Sequence, residues 1–208
     1  MNSLDSLEDA INAAGSDNHE YFGAKWTGGY HIQQDPKEFA LLIQTLQWTE
    51  FENYLVIGVA AGGTERFICE NVIVGTLIAI DDGNHPNHKY WEENKMAMEK
   101  LQWGRQRFQA TLYKDDSHSK EAERCLRCCG LKFNLVGIDG DHSPQGVLQD
   151  WELVQPYLAP GALVWFHDIL IDEAGQNGAR KLWIRLKTQH EVLLETKGKF
   201  GIGVIRVS

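Results

Sequence analysis

Hydrophobic positions in this chain alternate between short unbroken runs and stripes spaced for helices. Continuous apolar runs at 54–57, 76–80, 108–113, 133–138 and 162–166 predict strands covered on both faces, the pattern of a parallel sheet. Between them the period changes. Leu4, Leu7, Ile11 and Ala14 share one helical face, as do Phe39, Leu42, Ile43 and Leu46, and later Ala179, Leu182, Trp183 and Leu186. Val147, Trp151, Val154 and Leu158 follow Ser143-Pro144, an N-cap with a first-turn proline. Asp35-Pro36-Lys37-Glu38 is a second helix start, with Glu38 placed to reach back to the cap amide. Residues 89–101 form a rougher helical face through Trp91, Met98 and Leu101. The runs 192–196 and 201–207 flank Lys197-Gly198-Lys199-Phe200 and predict a closing antiparallel hairpin. Strands alternating with helices give one doubly wound α/β domain.

In such a sheet the carboxyl ends of the strands share one edge, and ligands bind there. Polar residues gather at those ends. The first strand runs into Gly58-Val59-Ala60-Ala61-Gly62-Gly63, a glycine turn before a helix, which suits a backbone approach to an anionic or polar group. The second ends in Asp81-Asp82, nineteen residues after Gly62, where nucleotide-binding folds place an acid for ribose hydroxyls. The third ends in Asp115-Asp116-Ser117, suited to an adenine. The fourth ends in Asp139-Gly140-Asp141-His142 and the fifth in His167-Asp168, so these acids and imidazoles are expected to converge.

Composition narrows the ligand. The 208 residues suffice for one domain, and the net charge of −9 argues against a sequence-independent grip on nucleic acid. No apolar run reaches membrane-spanning length and the first residues lack signal-peptide character, so a cytoplasmic protein with no membrane partner is expected. Of the four cysteines, Cys125 and Cys129 fall at helical core spacing with Ala122 and Leu126, and read as small core residues rather than a metal pair. His85 and His88 read as solvated helix-start residues. Residues 19–34 are irregular and rich in rings, among them Tyr21, Phe22, Trp26, Tyr30 and His31. They fit either a cover over one end of the core or a mobile cap on a substrate pocket, and the chain is divided accordingly into a helix-and-cap segment, 1–34, and a main domain, 35–208.

On Ile57 to Gly63, Ile80-Asp81, Asp116-Ser117, Ile138 to Ser143, Leu158 to Gly161 and His167 to Ile169, the chain resembles class I S-adenosylmethionine-dependent methyltransferases. Within them it is similar to the group containing cephalosporin-hydroxylase-like proteins and metal-dependent sugar O-methyltransferases. The resemblance implies a seven-stranded, mostly parallel Rossmann-like sheet with an antiparallel C-terminal strand. It also implies O-methylation of a small-molecule or glycan hydroxyl, with S-adenosylmethionine and a divalent ion (magnesium, calcium or manganese) as cofactors. Gly58, Ala60, Gly62 and Gly63 would line the methionine part of the donor. Asp81 would hold the ribose, Asp116 and Ser117 would face the adenine, and Asp139 would serve both donor and metal. Asp139, His167 and Asp168 would bind the ion, and His142 would act as general base. Val56 and His167 depart from the pattern, each standing where these proteins commonly carry an acid. A catalytically silent cofactor-binding protein and a nicotinamide-dependent oxidoreductase are the alternatives, and oligomeric state is left open.

Overall fold

The computed structural model of the chain describes residues 3–15, 29–103 and 106–207. In chain order it contains α1 (Leu4–Ala14), α2 (Pro36–Leu46), β1 (Phe51–Ile57), α3 (Gly63–Asn71) and β2 (Val74–Asp81). A 3₁₀ turn (Pro86–Tyr90) leads into α4 (Trp91–Met98), followed by β3 (Gln102–Trp103), β4 (Gln106–Arg107) and β5 (Gln109–Lys114). Then come α5 (Lys120–Cys129), β6 (Phe133–Ile138), α6 (Pro144–Val154), β7 (Leu158–Phe166), α7 (Gly178–Leu186), β8 (Glu191–Glu195) and β9 (Gly203–Arg206).

The main sheet has seven strands in the order β5-β2-β1-β6-β7-β9-β8. The five runs expected to be parallel are parallel. β9 alone runs against its neighbours β7 and β8. The sheet is buried on both faces because side chains alternate along each strand. Tyr54 and Val56 join Phe39, Ile43, Leu135 and Trp165 in one core, while Leu55 and Ile57 join Val136, Trp151, Phe166 and Trp183 in the other. Leu7 and Ile11 of α1 are buried in the first core, each worth roughly 1.5–3 kcal/mol of hydrophobic stabilisation.

Local rules explain most helix starts. Asp35 accepts hydrogen bonds from the amides of Lys37 and Glu38, and Ser143 accepts one from Gly146, with a proline following each cap. Glu38 departs from expectation. Instead of reaching back to its cap, its buried carboxylate accepts from Thr196 Oγ1 at 2.8 Å and from the amides of Gly201 and Phe200 at 3.0 and 3.3 Å. The loop before β9 has no strand partner for those amides, and the carboxylate takes that place. The helix expected over 89–101 stops at Met98, and the short β3–β4 hairpin fills the gap to β5. Cys129 packs against the second core, whereas Cys125 is half-buried rather than enclosed.

Ladder hydrogen bonds continue past the strand ends and fix the edge where the carboxyl ends meet. Gly58 donates to Ile80 O at 2.9 Å, Asp139 to Ile57 O at 2.9 Å, and His167 to Ile138 O at 3.4 Å. The chain order reverses direction between β1 and β6, so the crevice of an open α/β sheet belongs there.

Candidate active site

A cavity of about 810 Å³ opens at this edge, within the range of small-molecule and cofactor sites. Gly58, Val59, Ala60, Asp81, Asp116, Ser117, Asp139, His142, His167 and Asp168 all line it. Gly62 and Gly63 do not. A Cβ on Gly62 would lie 2.5 Å from the Trp91 ring, and one on Gly63 would lie 1.9 Å from Tyr30 O, so the bareness of these two glycines admits neighbouring protein. Gly58 has a positive φ of 79°, and a Cβ there would lie 2.2 Å from Asp139 O. Its bareness brings β1 against the Asp139 backbone.

Asp81 organises the glycine turn. Its Oδ2 accepts from the amides of Val59 (2.8 Å) and Ala60 (3.0 Å), and its Oδ1 accepts from Gly83 (2.7 Å). Ala60 thereby holds φ at 45°, unusual for a residue with a side chain. His88, expected in solvent, is instead turned inward with Nδ1 3.2 Å from Asp81 Oδ1. His85 caps the 3₁₀ turn by accepting from the Asn87 amide.

Acids and imidazoles meet at the ends of β6 and β7. His167 Nδ1 lies 3.2 Å from Asp139 Oδ1 and 3.4 Å from Asp168 Oδ1, while His142 Nδ1 lies 3.0 Å from Asp168 Oδ2. One donor atom each from Asp139, His142 and Asp168 lies within 4.8 Å of the others, close enough to share a cation. Asp168 Oδ1 is buried and has no hydrogen-bond partner among the described residues. Its backbone is held at φ 59°, a strain of the kind found at functional sites.

Burial works against charge on both His167 and Asp139. For His167, the carboxylates of Asp139 and Asp168 prevail and push the imidazole up to about 9. Burial likewise disfavours the Asp139 carboxylate, yet His167, His142 and Gln34 hold its pKa below the ordinary value. Hydrogen bonding to Asp168 raises His142, with burial opposing. Two acids therefore face two imidazoles. His167 points Nδ1 into the carboxylates and leaves Nε2 buried without a hydrogen bond among the described residues, while the cation-sized cluster is formed by Asp139, His142 and Asp168. Asp141 turns away to accept from Ser143.

At the other end of the cavity Ser117 Oγ donates to Asp150 Oδ1 at 2.6 Å, and Asp116 accepts from the His118 amide. Of the ring-rich segment, Tyr21, Phe22 and Trp26 lie outside the described residues. Tyr30 is a packing residue, its hydroxyl on Glu70 and its ring under Arg66. His31 lines the cavity and stacks on Tyr90 with centroids 3.6 Å apart. Sequence reasoning missed Gln34, Glu65 and Asp150, all buried near this site. Only their contacts single them out.

Residues 55–169 match the profile of the family described as "Methyltransferase domain". The chain belongs to that family. No curated protein sequence matches it. Among solved structures, the fold is similar to an O-methyltransferase from Bacillus cereus in complex with SAH, with TM-score 0.60 and 15% identity, covering 99% of this chain and 90% of that one. It is also similar to the O-methyltransferase TomG from Streptomyces achromogenes in complex with SAM, with TM-score 0.61 and 15% identity, covering 97% and 89%. A third similarity is to CalS11, a TDP-rhamnose 3′-O-methyltransferase, with TM-score 0.59 and 16% identity, covering 81% and 76%. The methyltransferase thus has the class I, S-adenosylmethionine-dependent architecture that its motifs imply, and the nicotinamide-dependent alternative falls away. Among the described residues no helix is long and apolar enough to cross a membrane.

Proposed function

We propose that this methyltransferase transfers the methyl group of S-adenosylmethionine to a hydroxyl oxygen of a small-molecule or sugar acceptor, with a divalent ion held by Asp139 and Asp168. The observation that carries this reading is the paired carboxylates of Asp139 and Asp168 at adjacent strand ends on the cavity wall, with Asp168 Oδ1 buried, 3.4 Å from His167 Nδ1 and without a hydrogen bond among the described residues. Such an oxygen calls for a cation or donor from outside the fold. An oxygen-rich pair fits magnesium, calcium or manganese. When bound, the ion polarises the acceptor hydroxyl as a Lewis acid.

The chain's own residues supply the rest. The amides of Val59 and Ala60, pinned by Asp81, shape the donor end of the cavity, and Gly58 brings the Asp139 backbone alongside it; Asp81 also faces the ribose, and Asp116 with Ser117 the adenine. His142 is half-exposed toward the cavity, with Nδ1 on Asp168 and Nε2 3.7 Å from Asp139 Oδ1, and Nε2 is the nitrogen that accepts a proton. The acceptor O–H gives its proton to that nitrogen as the new C–O bond forms and the methyl–sulfur bond breaks. His167 balances the charge of Asp139 from behind. Similarity to a TDP-rhamnose O-methyltransferase supports a sugar acceptor.

Incubation with labelled S-adenosylmethionine and pooled small-molecule or glycan extracts tests the reading. Label should appear in a product when a divalent ion is present. Asp139→Asn should abolish that turnover, and His142→Ala should slow it by roughly 100- to 10,000-fold. Full activity in excess chelator, or in the His142 variant, would overturn the proposed chemistry.

A further inference from the structure

Two buried acceptors line the cavity without partners among the described residues: Glu65 Oε2 and Gln34 Oε1. Glu65 is 1% exposed and Gln34 2% exposed. The orientation of Gln34 is fixed, because its Nε2 donates to Asp139 Oδ2 at 2.9 Å and only the carbonyl end remains. Glu65 lies in the first turn of α3, and the Tyr30–His31 backbone that leads to Gln34 packs directly on Gly63 at the start of that helix. The two acceptors therefore come from touching segments. No lysine or arginine lines the cavity among the described residues, and the cationic imidazole there, His167, turns its Nδ1 to Asp139 and Asp168. Val56, buried and apolar in β1, offers nothing polar nearby.

An unsatisfied carboxylate oxygen and an unsatisfied amide oxygen on one wall call for a ligand group made only of donors and positively charged. We infer that Glu65 and Gln34 receive the primary ammonium group at the amino-acid end of the methyl donor. The assignment rests on the reading that S-adenosylmethionine fills this cavity. It explains why the sequence tolerates an acid at so deeply buried a position. Burial, with Asp139 and Asp81 nearby, pushes the Glu65 carboxyl well up in the free protein, and an arriving ammonium supplies the missing positive charge.

Calorimetric titration of the full chain with two nucleosides tests the inference without turnover: S-adenosylhomocysteine, and the same thioether with its amino group replaced by hydrogen. The parent protein should bind the desamino compound about 10- to 100-fold more weakly, the loss expected for a charge-assisted contact. Glu65→Gln should weaken S-adenosylhomocysteine by a similar factor while leaving the desamino compound near its parental affinity. Equal parental affinity for the two nucleosides would overturn the assignment, as would a Glu65→Gln effect of the same size on both. Should Glu65→Gln not fold, the parental pair alone decides. If the parent binds neither nucleoside, the cofactor reading fails and takes the assignment with it, an outcome distinct from the other two.

Discussion

Asp150 has no exposed surface, accepts from Ser117 Oγ through Oδ1, and leaves Oδ2 without a partner among the described residues. Burial raises its pKa from 3.8 to about 6, although Ser117 and His118 pull the other way. The fold therefore favours the protonated acid. Its stabilising contribution is complete below pH 3.8 and is lost as the pH rises through about 6. A shift of this size corresponds to at most about 3 kcal/mol. Asp150→Asn should remove that slope, so the stability of the variant relative to the parent should rise between about pH 4 and pH 8. Urea unfolding midpoints across that range measure it, and a constant difference would contradict the assignment.

Among the elements, the loop before β9 depends most on one distant side chain. Glu38→Ala would leave the Gly201 amide and Thr196 Oγ1 without their buried acceptor, and should cost about 3 kcal/mol or more in chemical denaturation. Glu38→Gln keeps one acceptor oxygen and should cost less. This contact also marks the boundary of what the sequence discloses. Runs such as 133–138 name their own strands because burial on both faces demands unbroken apolar residues. Asp139, His142 and Asp168 could be placed together because strand ends in a parallel sheet share an edge. Glu38 looked like a local cap because Asp35-Pro36 surrounds it, and only the tertiary neighbours at Thr196 and Gly201 reassign it. Glu65 and Gln34 carry no pattern at all, since an orphaned acceptor is defined by what fails to surround it. His142 and His167 were each legible as site residues, but which of them joins the cation-sized cluster depends on ring orientation.

For the whole molecule, the cavity is lined by the ends of core strands such as Ile57 and Ile80, so a ligand bound at the edge should stabilise the fold beneath it. S-adenosylhomocysteine at 100 times its dissociation constant should add about 2.7 kcal/mol, or roughly 5–10 °C in melting temperature for a chain of this size. No shift at millimolar nucleoside would contradict the cofactor assignment. Timing follows from the clasp between α2 and the loop before β9. Glu38 meets Gly201 across 163 residues, and that loop in turn binds the turn beyond Asp168, with Ile169 donating to Gly201 O and Leu170 to Phe200 O. In synthesis from the N-terminus, all five strands of the parallel core leave the ribosome before Gly201 does. A nascent chain arrested before Gly201 should hold the five parallel strands with the edge beside Asp168 unlatched, and methyl transfer should begin only once the hairpin has emerged and closed on α2.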